Sequence, residues 1–145
     1  MTEIERVATQ DILNLRRDVI RPGMDVSFVM YDEDNDEDSF NLGIRMDGKI
    51  VSCVTFFKKD NPDLPYKNQY RMRALCTHPD YRGKGFATAL INKGMSVVRE
   101  LGAEAVWFHA RVHLVDFYHT FGCVEYGQPF PVKYSCMHIN MYKVL

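Results

Sequence analysis

A glycine-rich turn with two basic residues is the segment of this sequence best suited to chemistry. It reads Arg82-Gly83-Lys84-Gly85-Phe86-Ala87 and opens an amphipathic pattern over residues 86–101, which predicts a helix. The first amide groups of a helix have no partner within it, and the helix dipole favours negative charge there. The two glycines leave room for a pyrophosphate, and Arg82 and Lys84 add positive charge. The turn therefore predicts a site for a diphosphate-bearing ligand.

The turn does not match the two best-known phosphate motifs. A Walker A loop requires Ser or Thr after Gly-Lys and an earlier glycine, but here Lys84-Gly85 is followed by Phe86. A dinucleotide fingerprint requires a third glycine and an early strand, whereas position 88 is Thr and the turn lies in mid-chain. Taken alone, Gly-x-Gly is equally well explained as a structural turn at the start of a helix.

The elements around the turn predict a layered α/β domain. Hydrophobic periodicity and turn residues give the order β-α-β-β-β-α-β-α-β-β, with a first helix over residues 10–20 capped by Thr9. Asp47-Gly48 joins two apolar runs and predicts a β-hairpin. Residues 105–110 are apolar throughout apart from His109, which predicts a central strand covered on both faces. No repeat or linker divides the chain, so we expect one domain over residues 1–145.

The run that leads into the turn makes the ligand more specific. Leu75-Cys76-Thr77-His78-Pro79-Asp80-Tyr81 followed by the turn resembles the acyl-CoA-binding motif of the GNAT superfamily of N-acetyltransferases. That motif is a strand, a short proline-containing turn and Arg/Gln-x-x-Gly-x-Gly/Ala at the start of a helix. Arg82, Gly85 and Ala87 occupy its defined positions.

A second segment further along the chain supports the same resemblance. Phe117-Tyr118-His119-Thr120-Phe121-Gly122-Cys123 is similar to the superfamily's Leu/Phe-Tyr-x-x-x-Gly-Phe segment, with Cys123 in place of the usual Phe. Residues 110–122 and 138–141 look most like the small ElaA-like bacterial branch. The element order is also that of the superfamily, so the resemblance covers most of the chain.

The resemblance implies a fold and a cosubstrate. The fold is a mixed, mostly antiparallel central sheet flanked by helices, in which a strand pair splays apart, usually at a bulge, and pairs with the pantetheine arm of acetyl-CoA. The Leu75 amide is then expected to bind the thioester carbonyl, and the amides from Arg82 to Ala87 the pyrophosphate. Arg111 stands where many relatives carry an asparagine that touches the arm, which leaves its contact open. The expected cofactor-binding residues are Leu75, Cys76, Thr77, Arg82, Gly83, Lys84, Gly85, Phe86, Ala87, Arg111 and Tyr118.

The implied reaction is direct transfer of an acetyl group to an amine in a ternary complex. The Leu75 amide is the candidate donor to the oxyanion, and Tyr118 is the candidate general acid for the leaving thiolate. His138 is the first candidate for the base, with Glu125 or a water chain as alternatives, because an ordinary histidine titrates near pH 6.5. Arg73 shares the binding strand and either meets an anionic group of the substrate or pairs with an acid.

Other chemistries receive less support from the sequence. An acyl-cysteine route through Cys76 lacks a recognisable His–acid partner. The acidic run over residues 32–38 begins like a calcium loop, but position 37 is Glu where glycine is needed and position 43 is Gly where glutamate belongs. His109 and His113 have no third ligand in view. We therefore predict no metal site. We expect the acidic run to be a solvated loop, and the alternative is that it attracts a cationic amine substrate.

Composition excludes several classes of partner. The net charge of −1 argues against non-specific nucleic-acid binding, and no apolar run is long enough to span a membrane. The N-terminal residues lack the character of a signal peptide, and the four cysteines, which form no Cys-x-x-Cys pair, are expected to be reduced and buried. These features predict a cytoplasmic protein, and the superfamily often forms homodimers.

Two other functions stay open at this point. A non-catalytic acyl-CoA sensor would keep the glycine turn but need neither a base nor Tyr118. A nucleotide or phosphate-metabolite binder would bind ATP or NAD without preferring CoA. The sequence does not identify the acceptor, which is expected to be a primary amine of a small molecule or of a protein.

Overall fold

A computed structural model describes residues 2–145 and contains the elements in the predicted order. The strands are β1 (Glu5–Val7), β2 (Phe40–Met46), β3 (Lys49–Lys58), β4 (Gln69–Thr77), β5 (Ala105–Arg111), β6 (Val124–Pro131) and β7 (Met137–Val144). The helices are α1 (Leu13–Ile20), α2 (Phe86–Glu100) and α3 (Val115–His119). The strands follow the order β1-β2-β3-β4-β5-β7-β6 in a mixed sheet, which confirms the predicted α/β class.

The chain forms two compact units. The first runs to Phe57 and resumes over Met72–Val97, and the second holds Lys58–Arg71 and Val98–Leu145. Strand β4 therefore contributes its first three residues to the second unit and the rest to the first.

The first unit contains the predicted hairpin. β2 and β3 pair antiparallel, with Met46 opposite Lys49, and β1 pairs antiparallel with β2. Asp47 and Gly48 join the strands with φ of 50° and 78°. Two successive positive φ values are what a two-residue hairpin turn needs, and Asp-Gly tolerates them best.

The first helix begins later than its sequence pattern predicted. Thr9 to Asp11 form a short 3-10 turn, and α1 itself begins at Leu13. Thr9 does not cap α1, because it lies inside this 3-10 turn and the residue directly before α1 is Ile12. The Thr9 hydroxyl instead accepts a hydrogen bond from Asn41 Nδ2 on β2 at 3.0 Å.

Helix α2 packs an apolar face against the sheet of the first unit. Phe86, Leu90, Ile91 and Met95 are buried at helical spacing. Gly94 lies against Phe56, because a Cβ added at this glycine would stand 2.1 Å from the Phe56 ring. Glycine is therefore required here by close packing.

The second unit is built around β5. Gln69–Arg71 of β4 pair in parallel with Ala105–Trp107, and β5 pairs antiparallel with β7, which pairs antiparallel with β6. Five of the seven residues of β5 are buried, as expected for a central strand.

The cysteines depart from the sequence prediction at one position. Cys53, Cys76 and Cys123 are buried free thiols, whereas Cys136 is exposed because it lies in the loop before β7. Within residues 2–145 there is no group of three potential metal ligands. No helix of the described chain is long and apolar enough to cross a membrane.

Candidate active site

Strand β4 carries an irregularity directly before the residue expected to bind the thioester. Ala74 has φ of +57°, a left-handed conformation that costs a non-glycine residue about 1–2 kcal/mol. Such a residue within a strand marks a bulge, where backbone groups leave the regular ladder. In the second unit, the β4–β5 ladder extends only from Gln69 to Arg71. The left-handed Ala74 thus lies where the resemblance implied a bulge, and Leu75 follows it.

The end of β4 is fixed by its neighbour in the first unit. The His78 amide donates to the Val51 carbonyl at 2.7 Å. The Ser52 hydroxyl lies 3.3 Å from the Cys76 carbonyl and 2.8 Å from the Thr77 hydroxyl. These contacts set the direction in which the chain enters the glycine turn.

The Thr77 carbonyl already has a weak partner. Arg82 Nε donates to it at 3.4 Å, a long hydrogen bond. Since a carbonyl has two lone pairs, a second donor from an added strand can still bind it.

The glycine turn has the backbone geometry that only glycine adopts without strain. Gly83 and Gly85 have φ of 77° and 80°, and no atom lies within 4 Å of a Cβ added at either. The Ala89 amide donates to the Gly85 carbonyl at 3.0 Å, so the helical hydrogen bonds begin there. The space outside both glycines is therefore open to a ligand.

Most amide groups of the turn are available to an anion. The Arg82 amide donates to the Pro79 carbonyl at 3.4 Å, but those of residues 83–87 have no backbone acceptor in the part of the chain that the structure describes. Arg82 and Lys84 are exposed, while Phe86 is buried. This cradle of amides and cations has the chemistry to accommodate a pyrophosphate.

Cys76 is poorly suited to be a nucleophile. Its side chain is buried, and its Sγ lies 3.6 Å from Cys53 Sγ. The hydrogen bond with Cys53 and burial together hold the pKa of the Cys76 thiol well above its ordinary value. Because the thiolate is the reactive form, this environment disfavours the acyl-cysteine route.

Tyr118 is held by aromatic packing in the second unit. Its ring is buried, with its centroid 4.7 Å from that of Phe108 and 5.3 Å from that of Phe117. Burial raises the pKa of Tyr118 to about 12, with the nearby Arg111 acting in the opposite direction. The hydroxyl forms no hydrogen bond within residues 2–145 and is not an enclosed polar atom. The phenol is therefore protonated at neutral pH and able to donate.

His138 and Arg111 come together across two strands of the same unit. They are register partners in the β5–β7 ladder, and Phe130 on β6 is the partner of His138 on its other side. His138 Nδ1 lies 2.8 Å from the Cys136 carbonyl, which can only accept, so Nδ1 carries the proton. In the neutral ring the lone pair is then on Nε2.

The second candidate base is engaged elsewhere. Glu125 Oε1 lies 2.6 Å from His119 Nε2, and this hydrogen bond lowers the pKa of Glu125. A carboxylate with a lowered pKa is a weaker base, which favours His138 over Glu125. This pair could not be predicted from the sequence, because its two residues lie on different elements.

His109 contacts residues of two other strands. Its Nδ1 lies 3.3 Å from Arg71 Nη2, and its ring packs edge-on against Phe130 with centroids 5.1 Å apart. Arg71 in turn lies over the Trp107 ring, with Cζ 5.0 Å from the centroid.

The acidic run is more ordered than a solvated loop. Residues 32–35 form a 3-10 turn in which the Asp34 carboxylate binds Arg16 through two 2.8 Å hydrogen bonds. The Asp34 side chain is 5% exposed, and that of Arg16 is fully buried. Arg16 also donates to the Val29 carbonyl at 3.0 Å and to the Thr55 hydroxyl at 2.8 Å. The prediction of a solvated loop is thus wrong for Asp34, since a distant arginine on α1 withdraws it from water.

A mixed sheet in which an irregular strand leads into an open, amide-lined glycine turn is the arrangement that the resemblance to the GNAT superfamily implied. A sequence profile of the acetyltransferase (GNAT) family matches residues 8–123. The chain belongs to this family, and as a member it is an acyltransferase that uses acetyl-CoA as its cosubstrate.

Known proteins share both its sequence and its fold. The uncharacterized N-acetyltransferase YitI of Bacillus subtilis is 33% identical over 145 residues, which cover 100% of this chain and 97% of that protein. An acyl-CoA N-acyltransferase from Pseudomonas aeruginosa superposes with a TM-score of 0.80 at 16% identity, covering 99% of this chain and 100% of the other. Escherichia coli ElaA superposes with a TM-score of 0.79 at 17% identity, and the match covers 99% of each chain. At these identities the two structures show the fold alone, so the ElaA-like branch stays a prediction.

Proposed function

We propose that this protein transfers an acetyl group from acetyl-CoA to a primary amine by direct attack in a ternary complex. The observation that carries the proposal is the left-handed conformation of Ala74 on β4, directly before Leu75 and a few residues ahead of the open glycine turn. A strand with free backbone groups is what an extended pantetheine arm pairs with. The acceptor is a small-molecule or protein amine.

Each part of acetyl-CoA has a candidate partner in the chain. The Leu75 amide donates to the thioester carbonyl and to the oxyanion that develops there. Backbone groups of Cys76 and Thr77 pair with the pantetheine arm, and Arg111 is a candidate contact for the same arm. The pyrophosphate is bound by the backbone amides of the turn and by the side chains of its two basic residues. The residues of this turn are Arg82, Gly83, Lys84, Gly85, Phe86 and Ala87.

The raised pKa of Tyr118 refines its role. A phenol with a pKa of about 12 is a much weaker acid than an ordinary thiol with a pKa near 8.5, so full proton transfer to a thiolate costs about 5 kcal/mol. Hydrogen-bond donation without complete transfer has no such cost. Tyr118 therefore stabilises the leaving thiolate as a donor, and the proton that finally neutralises the thiol comes from the attacking ammonium or from solvent.

His138 supplies the base through Nε2. An amine attacks only in its neutral form, so a proton must leave the ammonium before or during attack. The hydrogen bond from Nδ1 to the Cys136 carbonyl fixes the tautomer with its lone pair on Nε2. Water can relay the proton where the ring does not reach the amine directly.

A thiol-release assay tests the proposal. Purified protein is incubated with acetyl-CoA and a panel of amines, and free CoA is followed with a thiol reagent. Amine-dependent release supports the transferase. Tight CoA binding without turnover on any amine, together with no effect of Tyr118→Phe, supports the sensor instead. Binding of ATP or NAD that CoA does not outcompete supports the nucleotide binder.

Three further expectations stand as proposals beside this function. A single domain over residues 1–145, a cytoplasmic location and a homodimer all rest on the sequence and its resemblance to the superfamily. Gel filtration with light scattering gives the oligomeric state directly.

A further inference from the structure

An arginine beside the bulge has a stacking partner but no acid. Arg73 lies one residue before Ala74 on β4 and is half-buried. Its guanidinium carbon lies 3.8 Å from the centroid of the Tyr31 ring. It makes no hydrogen bond or ion pair with any residue of the described chain. The pairing with an acid that the sequence left open is thus not formed.

Tyr31 is a rigid platform for this arginine. Its amide donates to Asp34 Oδ2 at 2.9 Å, and its ring meets Phe57 edge-on, with centroids 6.0 Å apart and planes at 87°. The guanidinium of Arg16 lies 4.8 Å from the same ring centroid. Because Arg16 and Asp34 are buried and bonded to each other, the orientation of Tyr31 does not depend on a ligand.

The two arginines at this ring differ in what their donors contact. Arg16 donates to Asp34, Val29 and Thr55, so its donors at Nη1 and Nη2 are used and its charge is neutralised. Arg73 uses only its flat face, which leaves the N–H groups at its edge for another acceptor. A planar fork of donors matches a carboxylate, which it binds through two parallel hydrogen bonds.

We propose that Arg73 binds a carboxylate on the acceptor, which makes amino acids the preferred class of amine. This inference rests on the proposed function, because it takes Leu75 to mark the thioester. Two residues along a strand span about 6–7 Å. That is the scale of the separation between the amine and the carboxylate of an ω-amino acid. In an α-amino acid the two groups are attached to one carbon, so the flexible Arg73 side chain has to cover the difference.

The acidic residues at positions 32–38, which follow Tyr31, suggest an alternative acceptor that carries positive charge. The exposed acids in residues 32–38 repel an anion, but Asp34, the buried member of that run, is neutralised by Arg16. A cationic acceptor such as a diamine is therefore the alternative that the experiment must include.

The test measures equilibrium binding to the CoA-loaded protein by calorimetry. The probes are the common α-amino acids and several ω-amino acids, each beside its matching amide, with 1,4-diaminobutane as the cationic probe. We expect at least one acid to bind ten- to a hundredfold more tightly than its amide, and Arg73→Gln to bring the two within about twofold. Arg73→Lys should retain part of the preference, because it keeps the charge but loses the fork.

A matched control separates this site from a general loss of positive charge. Arg6 is also stacked, with Cζ 4.7 Å from the Phe40 centroid, and it is exposed. Arg6→Gln should leave the preference unchanged. Unchanged CoA affinity and melting temperature in Arg73→Gln will show that the variant is folded.

The outcomes separate this inference from the proposed function. Equal binding of acids and amides, a preference for the diamine, or a preference that Arg73→Gln leaves intact overturns the inference, even if amines are acetylated. If an amino acid binds in an Arg73-dependent way but no thiol is released in the transferase assay, the carboxylate site is supported. The same result counts against the proposed transferase function. If succinyl-CoA, and no amino acid, shows the dependence on Arg73, the carboxylate belongs to the acyl group and the acceptor assignment is wrong.

Discussion

Arg111 and His138 are direct partners across the antiparallel β5–β7 ladder. Side chains of such partners on one face lie about 5 Å apart at Cβ. Arg111, the candidate contact of the pantetheine arm, therefore lies beside His138, the candidate base. Tyr118 belongs to the same neighbourhood, since the charge of Arg111 acts on its pKa.

Replacing His138 should remove the base while leaving the fold intact. We expect His138→Gln to lower kcat/KM for the amine by about a hundredfold, the lower end of what general-base catalysis contributes. His113→Gln is the matched control, because His113 is exposed on the turn after β5. An unchanged kcat/KM in His138→Gln would point to Glu125 or water as the base.

Replacing Tyr118 should affect the chemical step and not cosubstrate binding. Tyr118→Phe keeps the ring packed on Phe108 and removes only the hydroxyl, so we expect kcat to fall ten- to a hundredfold at nearly constant KM for acetyl-CoA. Since the pKa is raised to about 12, the hydroxyl stays protonated up to that pH, and the wild type should show no alkaline loss from this group below about pH 11. Tyr66→Phe serves as the control, because Tyr66 lies in the loop before β4 and packs on Tyr142, with ring centroids 6.0 Å apart. Equal kcat in the variant and wild type would remove Tyr118 from the mechanism.

The glycine turn can be tested with a pair of substitutions that share the same backbone strain. Gly85 and Gly48 have φ of 80° and 78°, and both have open space at the missing Cβ. Each change to Ala should cost about 1–2 kcal/mol of folding stability, because alanine resists this conformation. Only Gly85→Ala should also weaken acetyl-CoA binding, by tenfold or more in calorimetry. Equal affinities in the two variants would mean that the turn is structural.

Close packing at Gly94 gives a prediction about stability alone. A Cβ there would stand 2.1 Å from the buried Phe56 ring, so Gly94→Ala should lower the free energy of unfolding by about 1–3 kcal/mol despite the better helix propensity of alanine. Adding Phe56→Leu should recover part of the loss, since the smaller side chain makes room. Chemical denaturation measures the free energy of unfolding of the single and the double variant. A Gly94→Ala variant more stable than the wild type would contradict the close packing of Gly94 on Phe56.

The sequence predicted what depends on local pattern and missed what depends on distant partners. The hairpin at Asp47-Gly48, the turn at Gly83 and Gly85 and the order of elements follow from backbone preferences and periodicity, and all are present. The ordering of the acidic run was missed because it depends on Arg16, eighteen positions away from Asp34. No local signal marks such a pair.

The bulge illustrates the same limit within one strand. Alanine has no preference for a left-handed conformation, so nothing in its own sequence assigns φ of +57° to Ala74. Only the resemblance implied a bulge in this strand. The stacking of Arg73 on Tyr31 was equally hidden, because it joins β4 to a residue forty-two positions earlier.

The most direct test of the account is transfer of a labelled acetyl group. Acetyl-CoA carrying ¹³C in its acetyl group is incubated with the protein and the amine panel, and products are analysed by mass spectrometry beside the released thiol. We predict a labelled N-acetyl product and one free CoA thiol for each amide formed, with no labelled protein intermediate. Bound CoA without a labelled amide from any amine, or label trapped on Cys76, would contradict direct transfer.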